Sequence, residues 1–398
     1  MKLKIPRILE FNSNYSFFLF GPRQVGKTSL IKKLFSTDTT IFYNLLKIND
    51  FIRLQNNPDL LIEDIKSRDK KITHIVIDEV QKLPKILDLV HYALEELENP
   101  PHFILTGSSA RKLKQGNANL LGGRALNFYL APLTHVEILN AEKLGIIDFS
   151  LKKVLEFGTL PKIYMETDRN QSVSMLESYV DIYIKEEIKS EALVRNLGAF
   201  VEFLRFSAEE NGNTLNFSKI AQDIGISAST IKEYFSILED TLLAFFLYPY
   251  SRTVRKKIIK SPKFYFFDTG VQRALARQAS QELLPKTSSY GKAFEHFIIK
   301  EFIHLSKYLN RDLQFSFYRT ESGSEVDLII QKPCGEIYAL EIKASVTPSR
   351  QELRGLLSFK EVCPQAKMIC VSLSPQKYQL QEFMIYPWQE IFREIFSC

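Results

Sequence analysis

The sequence predicts an α/β protein with a parallel sheet near the front of the chain and a second α/β domain at its end. Three observations predict it. Residues 15–35, Y-S-F-F-L-F-G-P-R-Q-V-G-K-T-S-L-I-K-K-L-F, run an apolar strand into a glycine loop and on into an amphipathic helix. Residues 73–79, T-H-I-V-I-D-E, make a second apolar strand that ends in two acids. Far downstream, a helix carrying Glu295 precedes two apolar strands that carry Asp327 and the pair Glu341 and Lys343.

Composition frames these elements. At 398 residues the chain exceeds what one hydrophobic core serves, so two or three domains are expected. Apolar residues make up 45% and charged residues 25%, as in ordinary water-exposed globular proteins. The net charge of +6 permits a nucleic-acid partner without demanding one. Cys334, Cys363, Cys370 and Cys398 contain no C-x-x-C pair, which argues against a zinc site or a disulfide framework and for reduced thiols. The start, M-K-L-K-I-P-R-I-L-E-F-N, lacks the apolar core of a signal peptide. No apolar stretch approaches the roughly 20 residues that span a bilayer. A cytoplasmic protein with no membrane partner is the expectation.

The glycine loop is G-x-x-x-x-G-K-T in strand–loop–helix context, the P-loop pattern. Gly21 and Gly26 let backbone N–H groups wrap phosphates where a side chain would block the approach. Lys27 reaches the β and γ phosphates, and Thr28 offers a hydroxyl to Mg²⁺. Gly21, Pro22, Arg23, Gln24, Val25 and Gly26, with Lys27, Thr28 and Ser29 at the helix start, form the candidate ATP-binding set. At the tip of the second strand, Asp78 is placed to hold Mg²⁺ together with Thr28, and Glu79 to polarise an attacking water. A third strand, H-F-I-L-T-G-S-S at 102–109, ends beside these in a parallel sheet, so Thr106 or Ser108 is a candidate sensor of the γ-phosphate.

G-P-R-Q-V-G-K-T, V-I-D-E-V-Q-K-L-P, L-T-G-S-S-A-R-K-L and L-L-G-G-R-A-L-N-F-Y-L-A-P-L-T occur in this order in a large group of prokaryotic AAA+ ATPases with a poorly characterised C-terminal domain, and this chain resembles them along nearly its whole length. The resemblance implies an AAA+ core of five parallel strands followed by a helical lid. It also implies Arg124 of the G-G-R segment as a phosphate-sensing or neighbour-sensing arginine. The plainer alternative is a surface arginine that caps a helix or pairs an acid. Arg195 is a further candidate for an arginine acting on a neighbouring subunit, and a homo-oligomer stays open.

From about residue 132 to 210 apolar residues recur at helical spacing, as in S-M-L-E-S-Y-V-D-I-Y-I-K-E-E-I. Residues 214–240 then read as helix-turn-helix: a helix from Ser218 stops at Gly225, and a second begins after Ser227 with Ser229, Thr230 and Lys232 at its start. R-T-V-R-K-K-I-I-K-S-P-K at 252–263 interleaves six basic residues with apolar ones, the pattern of a wing with a face for DNA phosphates, or of a solvated surface.

The end of the chain holds the second chemical pattern. On the helix G-K-A-F-E-H-F-I-I-K-E-F-I at 291–303, Glu295 shares its face with Ile298, Ile299 and Phe302. Asp327 lies on the strand after E-S-G-S, and a turn through Pro333, Cys334 and Gly335 leads to I-Y-A-L-E-I-K-A-S. Glu341 and Lys343, two apart on a strand, point to one face. Helix-Glu, Asp, Glu-x-Lys in this order resembles the PD-(D/E)xK nuclease superfamily. That resemblance implies Asp327 and Glu341 as ligands of Mg²⁺ or Mn²⁺, Lys343 as the residue that orients water, and Glu295 as a further ligand or base. Glu325 shares the face of Asp327 and is an alternative ligand.

The expected organisation is therefore an AAA+ P-loop core over 1–135, a helical lid over 136–210, a winged helix-turn-helix over 211–270 and a nuclease-like domain over 271–398. ATP hydrolysis would be coupled to a DNA-binding or DNA-cleaving domain. The alternative is a nucleotide-switched module that binds nucleic acid or protein without cutting.

Overall fold

A computed structural model describes residues 5–108, 121–184, 196–251 and 261–397. Arg195 and the basic residues of 252–260 lie outside the described residues. The chain divides into two compact units.

The first unit holds residues 6–133 and 237–243. Its sheet runs β2 (Thr40–Asn44), β3 (His74–Asp78), β4 (His102–Gly107), β1 (Phe17–Phe20) and β5 (Leu126–Tyr129), in that spatial order. Every pairing is parallel, as expected for five strands. Parallel sheets are covered on both faces, so their strands read as unbroken apolar runs. F-F-L-F of β1 shows this, with all four side chains buried. On one face Phe18, Phe20, Ile75, Ile77, Phe103 and Leu105 pack against Leu54 of α2 (Ile48–Asn56), Leu61 and Ile65 of α3 (Leu60–Ser67) and Val90 of α4 (Ile86–Glu96). Helix α1 (Lys27–Leu34) starts directly from the glycine loop that follows β1.

The second unit holds residues 134–236 and 244 onward. It opens with α5 (His135–Lys143), α6 (Leu151–Phe157), α7 (Pro161–Tyr164), α8 (Arg169–Ser178) and α9 (Leu197–Glu209). Thr134 starts α5 through a reciprocal capping box with Glu137, and Asn196 caps α9 through Ala199 N–H. Then come α10 (Phe217–Ile224) and α11 (Ala228–Asp240), separated by Gly225 and by Ser227, whose Oγ accepts from Thr230 N–H at 3.1 Å. This is the helix pair read from the sequence. Strands β6 (Ala244–Leu247) and β7 (Lys263–Phe266) pair antiparallel, and α12 (Thr269–Leu275) follows.

The chain ends in a mixed six-stranded sheet in the order β12 (Tyr378–Leu380), β13 (Phe383–Pro387), β11 (Lys367–Ser372), β10 (Ile337–Lys343), β9 (Glu325–Gln331), β8 (Gln314–Arg319). The first three strands in sequence form an antiparallel meander, while β11 joins β10 in parallel after α14 (Arg354–Val362) crosses over. The 21-residue helix α13 (Ser288–Tyr308) precedes the meander, and α15 (Trp388–Phe396) closes the chain. Leu353, Leu356 and Phe359 at and on α14 bury against Val326, Ile329, Ala339 and Cys370 of the sheet.

Candidate functional site

The glycine loop sits where the sheet needs a close approach. A Cβ on Gly21 would stand 2.2 Å from the carbonyl oxygen of Leu130, so no larger residue fits there without moving the backbone. Gly26 takes φ +99°, a left-handed conformation that lets the loop turn into α1. Arg7, ahead of the motif, clamps the loop from outside: its guanidinium donates to Val25 O at 2.7 Å and to Ala131 O at 2.6 Å.

Lys27 is buried, and its Nζ donates to Gly21 O at 2.7 Å and Pro22 O at 3.0 Å, which folds the ammonium across the loop. Thr28 Oγ1 donates to Asp78 Oδ2 at 2.9 Å, so the two residues named for Mg²⁺ meet. Thr106 Oγ1 donates to Asp78 Oδ1 and accepts from Glu79 N–H at 3.3 Å. One hydroxyl therefore orients both acids. Glu79 itself is left-handed at φ 63°, a conformation that costs a non-glycine residue about 1–3 kcal/mol and is found where surroundings enforce it. Gln81 Nε2 holds its carboxylate at 2.6 Å and donates to Ser108 Oγ at 2.9 Å. Pro22 and Val25 are buried, Arg23 and Gln24 half-buried, and Ser29 exposed. Arg124 pairs with Glu95 of α4 at a half-exposed position, the acid-pairing alternative for that residue.

In the second unit, strands β9 and β10 carry the other cluster. Asp327 is buried, and its Oδ2 accepts from Ile342 N–H at 2.8 Å. Glu341 is buried too. Its Oε1 accepts from Lys343 Nζ at 2.6 Å, while its Oε2 is buried with no hydrogen-bond partner. Burial and then the charge of Glu295 push Asp327 up to about 6. Burial and then the charge of Asp327 push Glu341 well above the usual carboxylate range. Burial alone would lower Lys343, but Glu341 and Asp327 outweigh it and raise the group. A pair of carboxylates that burial and mutual repulsion drive towards protonation, with one oxygen unpaired, is a site short of positive charge. Its hard oxygens suit Mg²⁺ or Mn²⁺.

Glu295 and Glu325 are both paired with Lys263. Lys263 Nζ stands 3.2 Å from Glu295 Oε1 and 2.5 Å from Glu325 Oε1, and Tyr265 OH donates to the same Glu295 oxygen at 2.7 Å. Lys263 is 3% exposed, so this member of the basic run faces the half-buried carboxylates of Glu295 and Glu325 and not DNA phosphates, a correction to the sequence reading. Its place in β7, opposite Leu247, turns it inward. Among the described residues, no three His, Cys, Asp or Glu side chains are grouped to hold a metal ion.

Sequence reasoning missed Arg7, Gln81, Lys263 and Tyr265. Gln81 lies beside a recognisable motif and carried a weak signal there, whereas Arg7 carried none. Lys263 and Tyr265 lie about thirty residues before their partner Glu295 and carried none.

The loop, the five-stranded parallel sheet and the acids at its strand ends define a P-loop nucleotide-binding unit. Comparison with known proteins agrees: residues 13–139 match the model of an AAA domain. Residues 148–282 and 290–391 match two domains of unknown function, DUF8612 and DUF4143. An uncharacterized protein of Mycobacterium tuberculosis is 22% identical over 331 residues, covering 83% of this chain and 70% of that one. Another, from Methanocaldococcus jannaschii, is 25% identical over 405 residues and covers 90% and 82%. A third, from Haemophilus influenzae, is 24% identical, with 77% and 74% covered. Domain III of the replication initiation protein DnaA of Thermotoga maritima overlays with a TM-score of 0.26 at 14% identity, covering 46% of this chain and 80% of that one, and adds nothing to the P-loop geometry. No helix among the described residues is long and apolar enough to cross a membrane.

Proposed function

We propose that this chain binds and hydrolyses ATP with Mg²⁺ at its P-loop unit and couples that cycle to a metal-dependent, DNA-directed site in its C-terminal unit. The convergence of Lys27, Thr28, Asp78 and Glu79 at the ends of β1 and β3 carries the ATPase reading. Lys27 supplies the countercharge to the β and γ phosphates, Thr28 and Asp78 would hold Mg²⁺, and Glu79 orients the attacking water. Thr106 and Gln81 hold the two acids in register for that task. The bound ion would neutralise charge on the transferring phosphoryl group.

At the second site the unpaired Oε2 of Glu341 carries the reading. Asp327 and Glu341 would hold one Mg²⁺ or Mn²⁺, which when bound would polarise a phosphodiester. Lys343, tied to Glu341, would orient the water for attack on it. The runner-up is a nucleotide-switched module that grips DNA or protein without cutting.

Two assays test these assignments. Lys27→Ala should abolish ATP binding measured by calorimetry, whereas Glu79→Gln should bind ATP and stop turnover. ATP affinity within a few-fold of wild type in Lys27→Ala would remove the P-loop assignment. For the second site, wild type should nick supercoiled or linear DNA with Mn²⁺ and ATP, and Lys343→Ala should not. Absence of wild-type cleavage on every DNA form would leave the non-cutting module.

A further inference from the structure

Resting on the reading of Asp327 and Glu341 as a divalent-metal pair, the buried cation Lys263 is still without a task at that site. Lys263 projects from β7 to meet carboxylates from two other elements, Glu295 of α13 at 3.2 Å and Glu325 of β9 at 2.5 Å. The ring of Phe317 on β8 lies 5.6 Å from its Nζ, which adds an aromatic face to the same enclosure. Tyr265, two residues along β7, donates to the same Glu295 oxygen. Oxygen atoms from separate elements converging on one point are what a metal ion needs, and here an ammonium with three donors fills that point.

The charge balance then closes around a single ion. With Asp327 and Glu341 stripped of their protons, as a bound metal would require, Glu295, Glu325, Asp327 and Glu341 would bring four negative charges, against two positive charges from Lys263 and Lys343. Arg319 reaches Glu325 at 3.6 Å from a half-exposed position, where water screens it. The deficit of two is that of one divalent cation. We propose that Lys263 is a resident cation of this site. Its ammonium takes the place between Glu295 and Glu325 that a second metal ion would need, so the unit loads one divalent ion at Asp327 and Glu341. Glu295 is thereby a positioning residue, not a ligand.

The test counts Mn²⁺ on the nucleotide-free full chain by equilibrium dialysis, with Glu341→Gln as the baseline. Wild type should hold one ion more than that baseline, and Lys263→Met should hold two more. No excess in wild type overturns the metal reading itself. An excess of one in both proteins overturns the role of Lys263 alone, as does an excess of two in wild type. If Lys263→Met does not fold, acetylation of lysines in wild type followed by mass spectrometry decides. Lys263 should stay unmodified with and without saturating Mn²⁺. Modification that rises when Mn²⁺ is added would mean that the metal displaces it, and would overturn the proposal.

Discussion

Thr106 is the residue that touches both acids of the P-loop unit, since its hydroxyl donates to Asp78 and accepts from Glu79 N–H. Thr106→Val keeps the shape of the side chain and removes both bonds. In the proposed function ATP binding rests mainly on Lys27 and the loop, so affinity should hold within a few-fold. Turnover should fall, because Glu79 loses one of the contacts that hold its left-handed backbone and Asp78 loses its orientation. A hydrogen bond to a charged group is worth about 1.5–3 kcal/mol, which corresponds to a loss in kcat of about ten- to a hundredfold. Steady-state hydrolysis beside a calorimetric Kd checks this, and a parallel fall in both quantities would show that Thr106 serves binding. Thr106 was visible in the sequence as one of two hydroxyls at a strand end, and only the geometry separates it from Ser108, which faces Gln81. Arg7 was not visible, because a guanidinium that braces Val25 O from 18 residues away leaves no pattern in a linear reading.

At the scale of elements, what was legible followed from periodicity and punctuation. The loop after β1 is fixed by its glycines, the turn between α10 and α11 by Gly225 and Ser227, and the face shared by Glu341 and Lys343 by the two-residue repeat of β10. What was not legible needs the pairing of strands far apart in sequence. The hairpin of β6 and β7 delivers Lys263 to Glu295, and no local pattern states which buried acid a lysine will meet. Strands β9 and β10 also carry a pH signature. Asp327 titrates at about 6 in the folded chain against an ordinary value of 3.8, because burial and Glu295 disfavour its charge. With the folded value above the unfolded one, the native state keeps its proton longer as pH rises. Stability of the metal-free chain should therefore fall as pH rises from about 4 to about 6, with the whole deficit present above that window. Glu341, raised by burial and then by the charge of Asp327, extends the fall to higher pH. Melting temperatures in chelator should show this decline, and Asp327→Asn should flatten its lower part. A wild-type curve that rises across the window would mean that the carboxyl is ionised and well paired in the folded chain.

At the scale of the whole molecule, two compact units each carry a set of groups suited to its own ligand, and the proposed function requires that the two ligands communicate. Such communication is a coupling free energy, and linkage makes it reciprocal: if ATP changes the affinity for Mn²⁺ by some factor, Mn²⁺ changes the affinity for ATP by the same factor. In the proposed function the metal would also accompany the nucleotide at Thr28 and Asp78, so Glu341→Gln supplies the baseline for ions taken up with ATP. The prediction is a factor of about 5–150 between the two sites, the usual range for allosteric coupling. It should be measured once by Mn²⁺ titration with and without a non-hydrolysable ATP analogue, and once by analogue titration at low and saturating Mn²⁺. Lys27→Ala should erase it by removing the nucleotide, and Glu341→Gln by removing the second ion, while each variant keeps the response to its remaining ligand. A factor of one in both directions, with both ligands bound, would mean that the P-loop cycle does not reach the site of Asp327 and Glu341. The two units would then be independent modules on one chain, and ATP hydrolysis would have to act on something other than that site.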